Sequence, residues 1–362
     1  MKATNLADLF MPAEFLAQAT NISTAKAMAS LLNQLPIVGE NDYIFDSRNP
    51  ERSWLEGKLH WMPLGKDRGN AGRIKLASRP ENPIAERAIN AMEALIELLR
   101  RLDLLKHPES PTPQSAREAV MRYFSLPPLD QLPKLNTLIS GQKPREYARE
   151  LAKLIRIKVA FEKNEREFAV FVEDDGIGQT PERIHETLLS LGSSDKGDKP
   201  YLIGVFGQGG SSTYAASEFS WCMSRRAAEL LDGRSDGVGW TVVKEVFPAA
   251  RRDPYYAYLA ASPSGEVPQL PASAAEAIGF KQGSRFAHLK YNFAGGGSAV
   301  MRSLFYMLNH ILYNPVLPFD LYAGRATADT IYGNGYRLSN ATVKRRTRLD
   351  KTFSPQALNQ QN

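Results

Sequence analysis

Between Ile84 and Leu105 the apolar residues Ala85, Ala88, Ile89, Met92, Leu95, Ile96, Leu99 and Leu102 recur at helical spacing behind the start signal Asn82-Pro83. From residue 155 onward that period gives way to strands. IKVAFEK and EFAVFVEDD predict a hairpin around Lys163-Asn164-Glu165, and FSWCMSR, GWTVVKEVF, YYAYLAA and SRFAHLKY predict four further strands. One long helix followed by many antiparallel-type strands predicts an α+β sandwich, with a mixed, mostly antiparallel sheet covered on one side by helices, and not a Rossmann alternation.

The rest of the chain divides around this unit. Residues 1–80 read as an arm and a small β element: Leu6, Leu9, Phe10, Phe15 and Leu16, then Ala25, Met28, Leu31 and Leu32, lie at roughly helical spacing, and WLEGKLHWMPLG and GRIKLAS read as strands. The main unit spans 81–299. Within it, residues 107–145 carry seven prolines, which predicts an irregular insertion with at most short helices, and Arg145 to Ile155 resumes a helix. Residues 300–362 read as a linker or the start of a second domain, ending in a basic tail.

Several function classes are excluded early. A single cysteine, Cys222, can form neither an internal disulfide nor a cysteine metal cage, which points to a reducing compartment such as the cytoplasm. The histidines 60, 107, 185, 288 and 310 show no ligand spacing. No secretory signal is read at the N-terminus, and the most apolar long stretch, Ser303 to Tyr322, holds Asn309, His310, Asn314, Pro315, Pro318 and Asp320, so no membrane span is expected. The formal net charge of +6 suits contact with a polyanion without demanding it.

Three motifs carry chemistry. The long helix holds Glu86, Asn90 and Glu93; at about 100° per residue, Asn90 lies about 40° and Glu93 about 20° around from Glu86, so all three share a face. Read alone, that face is a solvated one, lying opposite the apolar stripe. Asp174-Asp175-Gly176-Ile177-Gly178 follows an apolar strand, where acids at the strand end and two glycines allow a sharp turn and close approach to a ligand, or simply an ordinary turn. Gly204-Val205-Phe206-Gly207-Gln208-Gly209-Gly210 precedes Ser211, Ser212 and the helix-like TYAAS; glycines that open a helix expose N–H groups suited to phosphate, but the string lacks the Lys-Ser/Thr of a P-loop.

Taken in order, Glu-x-x-x-Asn-x-x-Glu-Ala, Asp-x-Gly-x-Gly, Gly-x-Phe-Gly-x-Gly and Gly283-Ser284 before a strand resemble the GHKL superfamily of ATPases. Its members include the gyrase ATPase subunit, MutL, MORC proteins, heat-shock chaperones of the ninety-kilodalton class and histidine kinases. The likeness covers residues 80–295, roughly 60% of the chain. The segment LSLGSSDKGDKPYLIGVFGQGG is most similar to the MORC and heat-shock branches and would be an ATP lid. The resemblance implies a Bergerat-type two-layer fold that binds ATP and Mg²⁺. It implies Glu86 as the general base, Asn90 as a magnesium ligand, Glu93 as outer support, and Asp174 as acceptor of the adenine amine. Gly176 and Gly178 would bring the backbone close to the base, with Ser284 holding the surrounding water network. Gly204, Phe206, Gly207, Gln208, Gly209, Gly210 and Ser211 would form the phosphate end, with Lys196 adding a cation or standing as an ordinary exposed lysine.

Slow hydrolysis driving lid closure and homodimerisation is implied too, with the N-terminal arm as a strap across the partner. So is action on DNA in genome maintenance or defence. A chaperone-like ATPase acting on proteins and a nucleotide sensor with little hydrolysis are the alternatives. The departures are the 88 positions from Glu86 to Asp174, Ser284 in place of the commoner threonine, and no identifiable catalytic lysine from a following domain. The insertion 107–145 accounts for the first, either as the site of a protein partner or as a passive loop. Lys344, Arg345, Arg346, Arg348 and Lys351, opposed only by Asp350, would grip nucleic-acid phosphates or form a solvated tail.

Overall fold

The computed structural model describes residues 11–40, 42, 45–74, 76–191, 199–203, 211–248, 253–293 and 295–341. In chain order the helices are α1 (Pro12–Asn21), α2 (Ala25–Leu32), α3 (Glu81–Lys106), α4 (Ala116–Phe124), α5 (Pro144–Ala152), α6 (Ile184–Thr187), α7 (Ser212–Ala215), α8 (Ala272–Ala277) and α9 (Gly297–Ile311). The strands are β1 (His60–Pro63), β2 (Ile155–Glu162), β3 (Glu167–Asp174), β4 (Phe219–Arg225), β5 (Gly237–Val246), β6 (Tyr255–Ala260), β7 (Gln269–Pro271), β8 (Gly283–Leu289), β9 (Phe319–Ala323) and β10 (Asp329–Ile331). They form one ten-stranded sheet in the order β1-β6-β5-β4-β8-β3-β2-β9-β10, with β7 beside β5. Every pairing is antiparallel except β2 with β9. The α+β class and the mixed, mostly antiparallel sheet are those read from the sequence.

Alternation along the central strands decides how the sheet is covered. On β8, Phe286 faces the core beneath α3 while Ala287 and Leu289 face the opposite core. The first core holds Ile84, Ala88, Met92 and Leu95 of α3 with α4, α5 and α9. The second packs Phe15, Leu16, Met28 and Leu31 of α1 and α2, with Ala274 and Ala275 of α8, on Trp221, Trp240 and Leu259. Strands β4 and β6 are consequently buried at every residue. The two-layer expectation is therefore corrected to three layers, because the central strands carry large apolar side chains on both faces and helices cover each of them.

Three local expectations also change. The described part of the N-terminal arm folds back on its own sheet instead of reaching out as a strap: the Phe15 ring lies 4.8 Å from Trp240 and 6.1 Å from Trp221, and the Ala25 N–H donates to Glu167 at 2.6 Å. The described residues of GRIKLAS make no strand. Beyond the end of β1 at Pro63, the Asn70 amide pairs with β6, donating to the Tyr256 carbonyl and accepting from the Tyr256 N–H, both at 2.8 Å. The boundary expected at 299/300 falls inside α9, which packs against α3, and β9 joins β2 with Arg156 beside Asp320. The described part of this stretch thus adds β9 and β10 to the sheet of the main unit. Among the described residues no helix is long and apolar enough to cross a membrane.

Replacing Phe15 by alanine should lower the unfolding free energy by about 3 kcal/mol, as truncation of a buried aromatic does. Urea denaturation of the two proteins measures it; an unchanged midpoint would mean that the arm does not belong to the core.

Candidate functional site

Helix α3 presents its second face to two loops. At the end of β3, the chain turns so closely over the helix that a Cβ on Gly176 would sit 2.5 Å from the Ala94 Cβ and 2.8 Å from the Ala94 carbonyl carbon. The Ile177 N–H donates to the Ala94 carbonyl at 3.0 Å and locks the contact. Ala94 follows Glu86 and Asn90 at intervals of four residues, so the acid-and-glycine turn lies on the same face as both. From the other direction come residues 199–203. The Ile203 N–H donates to Glu93 Oε1 at 2.7 Å, while Lys199 Nζ and the Tyr201 hydroxyl reach Glu97 at 3.0 and 2.8 Å.

This arrangement corrects the solvated-face reading. Glu93 and Glu97 are buried, and Glu86 and Asn90 are half-buried. Buried carboxylates persist because each is hydrogen-bonded. Burial pushes the Glu97 carboxyl up, but Lys199, Arg101 and Tyr201 together hold it below its ordinary range.

The paired acids at the end of β3, Asp174 and Asp175, part company. Asp175 forms a two-pronged ion pair with Arg156, at 2.8 and 3.0 Å, which fixes it structurally. Asp174 instead points into the interior beside Ser284, its sheet neighbour, and accepts the Gly176 N–H at 2.9 Å. Burial pushes its pKa up to about 7, against the downward pull of the Gly176 and Ser284 backbone hydrogen bonds. Of the two, only Asp174 is a hydrogen-bonding group held in a low-dielectric site at neutral pH.

The glycines do more than turn the chain. Gly178 has φ +63°, and a Cβ there would lie 1.8 Å from the Arg225 carbonyl oxygen; at Gly283, φ +98°, one would lie 2.0 Å from the Asp174 carbonyl oxygen. The close approach at Gly178 is to β4, not to open ligand space as the sequence suggested. Ser284 shares the site through the Ser224 hydroxyl at 3.0 Å, and Ser224 also accepts the Gln179 N–H at 2.9 Å. Ser224 carried no sequence signal.

Lys196, Gly204, Phe206, Gly207, Gln208, Gly209 and Gly210 lie outside the described residues, as does the basic tail from Lys344 to Lys351. Their neighbours are described. Ser211 caps α7, a single turn where TYAAS predicted a helix, so a helix dipole contributes little and backbone N–H groups are what remains of the phosphate argument. On α7, Thr213 accepts two hydrogen bonds from Arg87. The two flanks of 204–210 are thus anchored on α3 at Glu93 and Arg87, about 9 Å apart along the axis at 1.5 Å per residue. Glu86 and Asn90 stand beside and between those anchors.

Among the described residues no group of three or more His, Cys, Asp or Glu is gathered to hold a metal. The half-buried Glu86 and Asn90 supply hard oxygen donors on one face, which fits a magnesium ion that takes most of its ligands from phosphate and water. Cys222 is buried, its thiol pushed up to about 12 by burial, and acts as a small core residue. The chain matches no protein family and no curated protein.

The folded state holds the Asp174 proton more tightly than the unfolded chain, whose value is the ordinary 3.8. Stability of the ligand-free protein should therefore carry a component present at low pH and lost as pH rises through about 7. Asp174→Asn keeps an acceptor for Gly176 and abolishes the titration. Denaturation at about pH 5 and about pH 8 should show the variant gaining stability over the wild type at the higher pH; a constant difference between the two proteins would contradict the assignment.

Proposed function

We propose that this protein is a magnesium-dependent ATPase of the GHKL type, with the nucleotide held between the polar face of α3, the Asp174 turn and the segment 199–213. The observation that carries the reading is that α3 gathers a half-buried carboxylate and amide, the turn that holds the buried Asp174, and the two anchored flanks of a glycine-rich string. The four ordered sequence motifs supply the family resemblance.

In this reading Asp174 accepts a hydrogen bond from the exocyclic amine of adenine; guanine offers a carbonyl oxygen there, so ATP is selected over GTP. Ser284 and Ser224 keep the hydroxyl network around that contact. Glu86 takes a proton from water as its oxygen bonds to the γ-phosphorus, while the bond to the bridging oxygen breaks and ADP leaves with the electron pair. Asn90 and the phosphates would hold magnesium, which when bound neutralises charge on the phosphate oxygens. Gly204, Phe206, Gly207, Gln208, Gly209, Gly210 and Ser211 would line the phosphate end, with Lys196 adding a cation.

Coupling of ATP to lid closure and homodimerisation, and action on DNA, belong to the same proposal. The net charge of +6 and the exposed Arg145 and Arg149 of α5, with Lys153 directly after it, are compatible with a nucleic-acid partner.

Turnover and binding of ATP, with and without Mg²⁺, test it. Glu86→Ala should bind ATP yet lose about 10²-fold or more in turnover, the contribution of a general base, and Asp174→Asn should lose binding. Added duplex DNA should stimulate the wild type, less so as salt rises. Undiminished turnover by Glu86→Ala would remove its role, and no ATP binding by the wild type would remove the function.

A further inference from the structure

On the face of the sheet beneath α3, three polar residues stand in one row. Asp174 on β3, Ser284 on β8 and Ser224 on β4 lie directly opposite one another across adjacent strands. Each is two positions along its strand from a member of the core that α3 covers: Val172, Phe286 and Cys222. All three are buried, Ser224 completely.

The hydrogen bonds of Ser224 fix where the hydroxyl protons of this row point. A serine hydroxyl carries one proton and two lone pairs. Ser224 Oγ lies 2.8 Å from the Gly283 carbonyl oxygen, which can only accept, so the Ser224 proton goes there. Its oxygen accepts the Gln179 N–H at 2.9 Å. The remaining contact, 3.0 Å to the Ser284 hydroxyl, then has Ser284 as its donor. With its proton committed to Ser224, the Ser284 oxygen offers only lone pairs to anything else. Its neighbour Asp174, as a carboxylate, also only accepts, and the backbone N–H groups of Gly176 and Ser284 leave part of its lone-pair capacity for a ligand.

Two adjacent acceptors fit one chemistry. Directly opposed residues of an antiparallel pair have Cβ atoms about 4.5–5.5 Å apart. Two acceptors that each lie about 2.9 Å from one planar nitrogen, about 120° apart around it, are separated by about 5 Å. The exocyclic amine of adenine carries two N–H bonds on one nitrogen, whereas a 6-keto base presents an acceptor at that position.

We propose that Ser224 is a positioning residue for base selection: by holding the Ser284 proton it makes Asp174 and Ser284 a pair of acceptors that takes both N–H groups of a primary amine. This rests on the ATP reading above and adds to it a second acceptor and the residue that fixes it.

The test measures affinities for ADP, for ADP methylated on its exocyclic amine and for inosine diphosphate, with Mg²⁺, by calorimetry at about pH 8, where Asp174 is mostly ionised. The wild type should bind the methylated nucleotide about tenfold more weakly than ADP, the effect of one lost hydrogen bond, and inosine diphosphate more weakly still. Ser224→Ala frees the Ser284 proton to donate to the keto oxygen, so inosine diphosphate should gain on ADP by about tenfold. A merely structural loosening of the turn would weaken both in parallel. Ser284→Ala removes the second acceptor and should bring ADP and its methylated form within about twofold of each other; it decides the matter if Ser224→Ala does not fold. The double variant should share the ratios of Ser284→Ala, since Ser224 acts through Ser284. Equal binding of ADP and its methylated form by the wild type, or an unchanged ratio of ADP to inosine diphosphate in Ser224→Ala, would overturn the inference while leaving the nucleotide site standing. A wild type that binds none of the three removes the nucleotide reading and this inference with it.

Discussion

A glycine laid against a helix sets the geometry on which the rest depends. Because Gly176 has no side chain, the turn at the end of β3 rests directly on Ala94 of α3, and the Ile177 N–H reaches the Ala94 carbonyl at 3.0 Å. That contact brings a strand end from the middle of the sheet onto the face that carries Glu86 and Asn90. An alanine there would push the turn away from the helix by the width of a methyl group. Gly178 and Gly283 seal the other side of the same turn, where carbonyl oxygens of Arg225 and Asp174 occupy the space a Cβ would need. The three glycines together hold Asp174 at one place relative to α3.

Electrostatics then assigns different work to residues of the same type. Asp175 is paired with Arg156, whereas Asp174 is buried and its pKa is pushed up to about 7. Glu97 is satisfied by Arg101, Lys199 and Tyr201, and Glu93 takes a backbone N–H; these two fasten residues 199–203 to the helix. Glu86 and Asn90, one and two turns earlier, remain half-buried. Structural acids cluster toward the C-terminal part of the face, and the groups proposed for chemistry stand nearer its start.

What the sequence made legible was local. The period of α3, the β2–β3 hairpin and the strands β4, β5, β6 and β8 follow from side-chain patterns a few residues long, and the acids and glycines announce the turn after β3. What it hid was set by contacts distant in the chain. Phe15 meets Trp221 and Trp240 more than two hundred positions away, so an arm that reads as free is core. The parallel pairing of β9 with β2 cannot be inferred from either strand alone. The polar face of α3 looks solvated until residues 199–203 cover it. Arg87 is buried on α3 because it bonds Thr213, a partner beyond the reach of any helical period.

In the function proposed, Asp174 and the Glu86–Asn90 face of α3 hold one adenine nucleotide between them. A crystal structure of the protein with a non-hydrolysable ATP analogue and Mg²⁺ tests it most directly. The adenine amine should lie within hydrogen-bonding distance of the Asp174 carboxyl, and the triphosphate beside Glu86 and Asn90. An analogue bound elsewhere, or bound with its base away from Asp174, would contradict it.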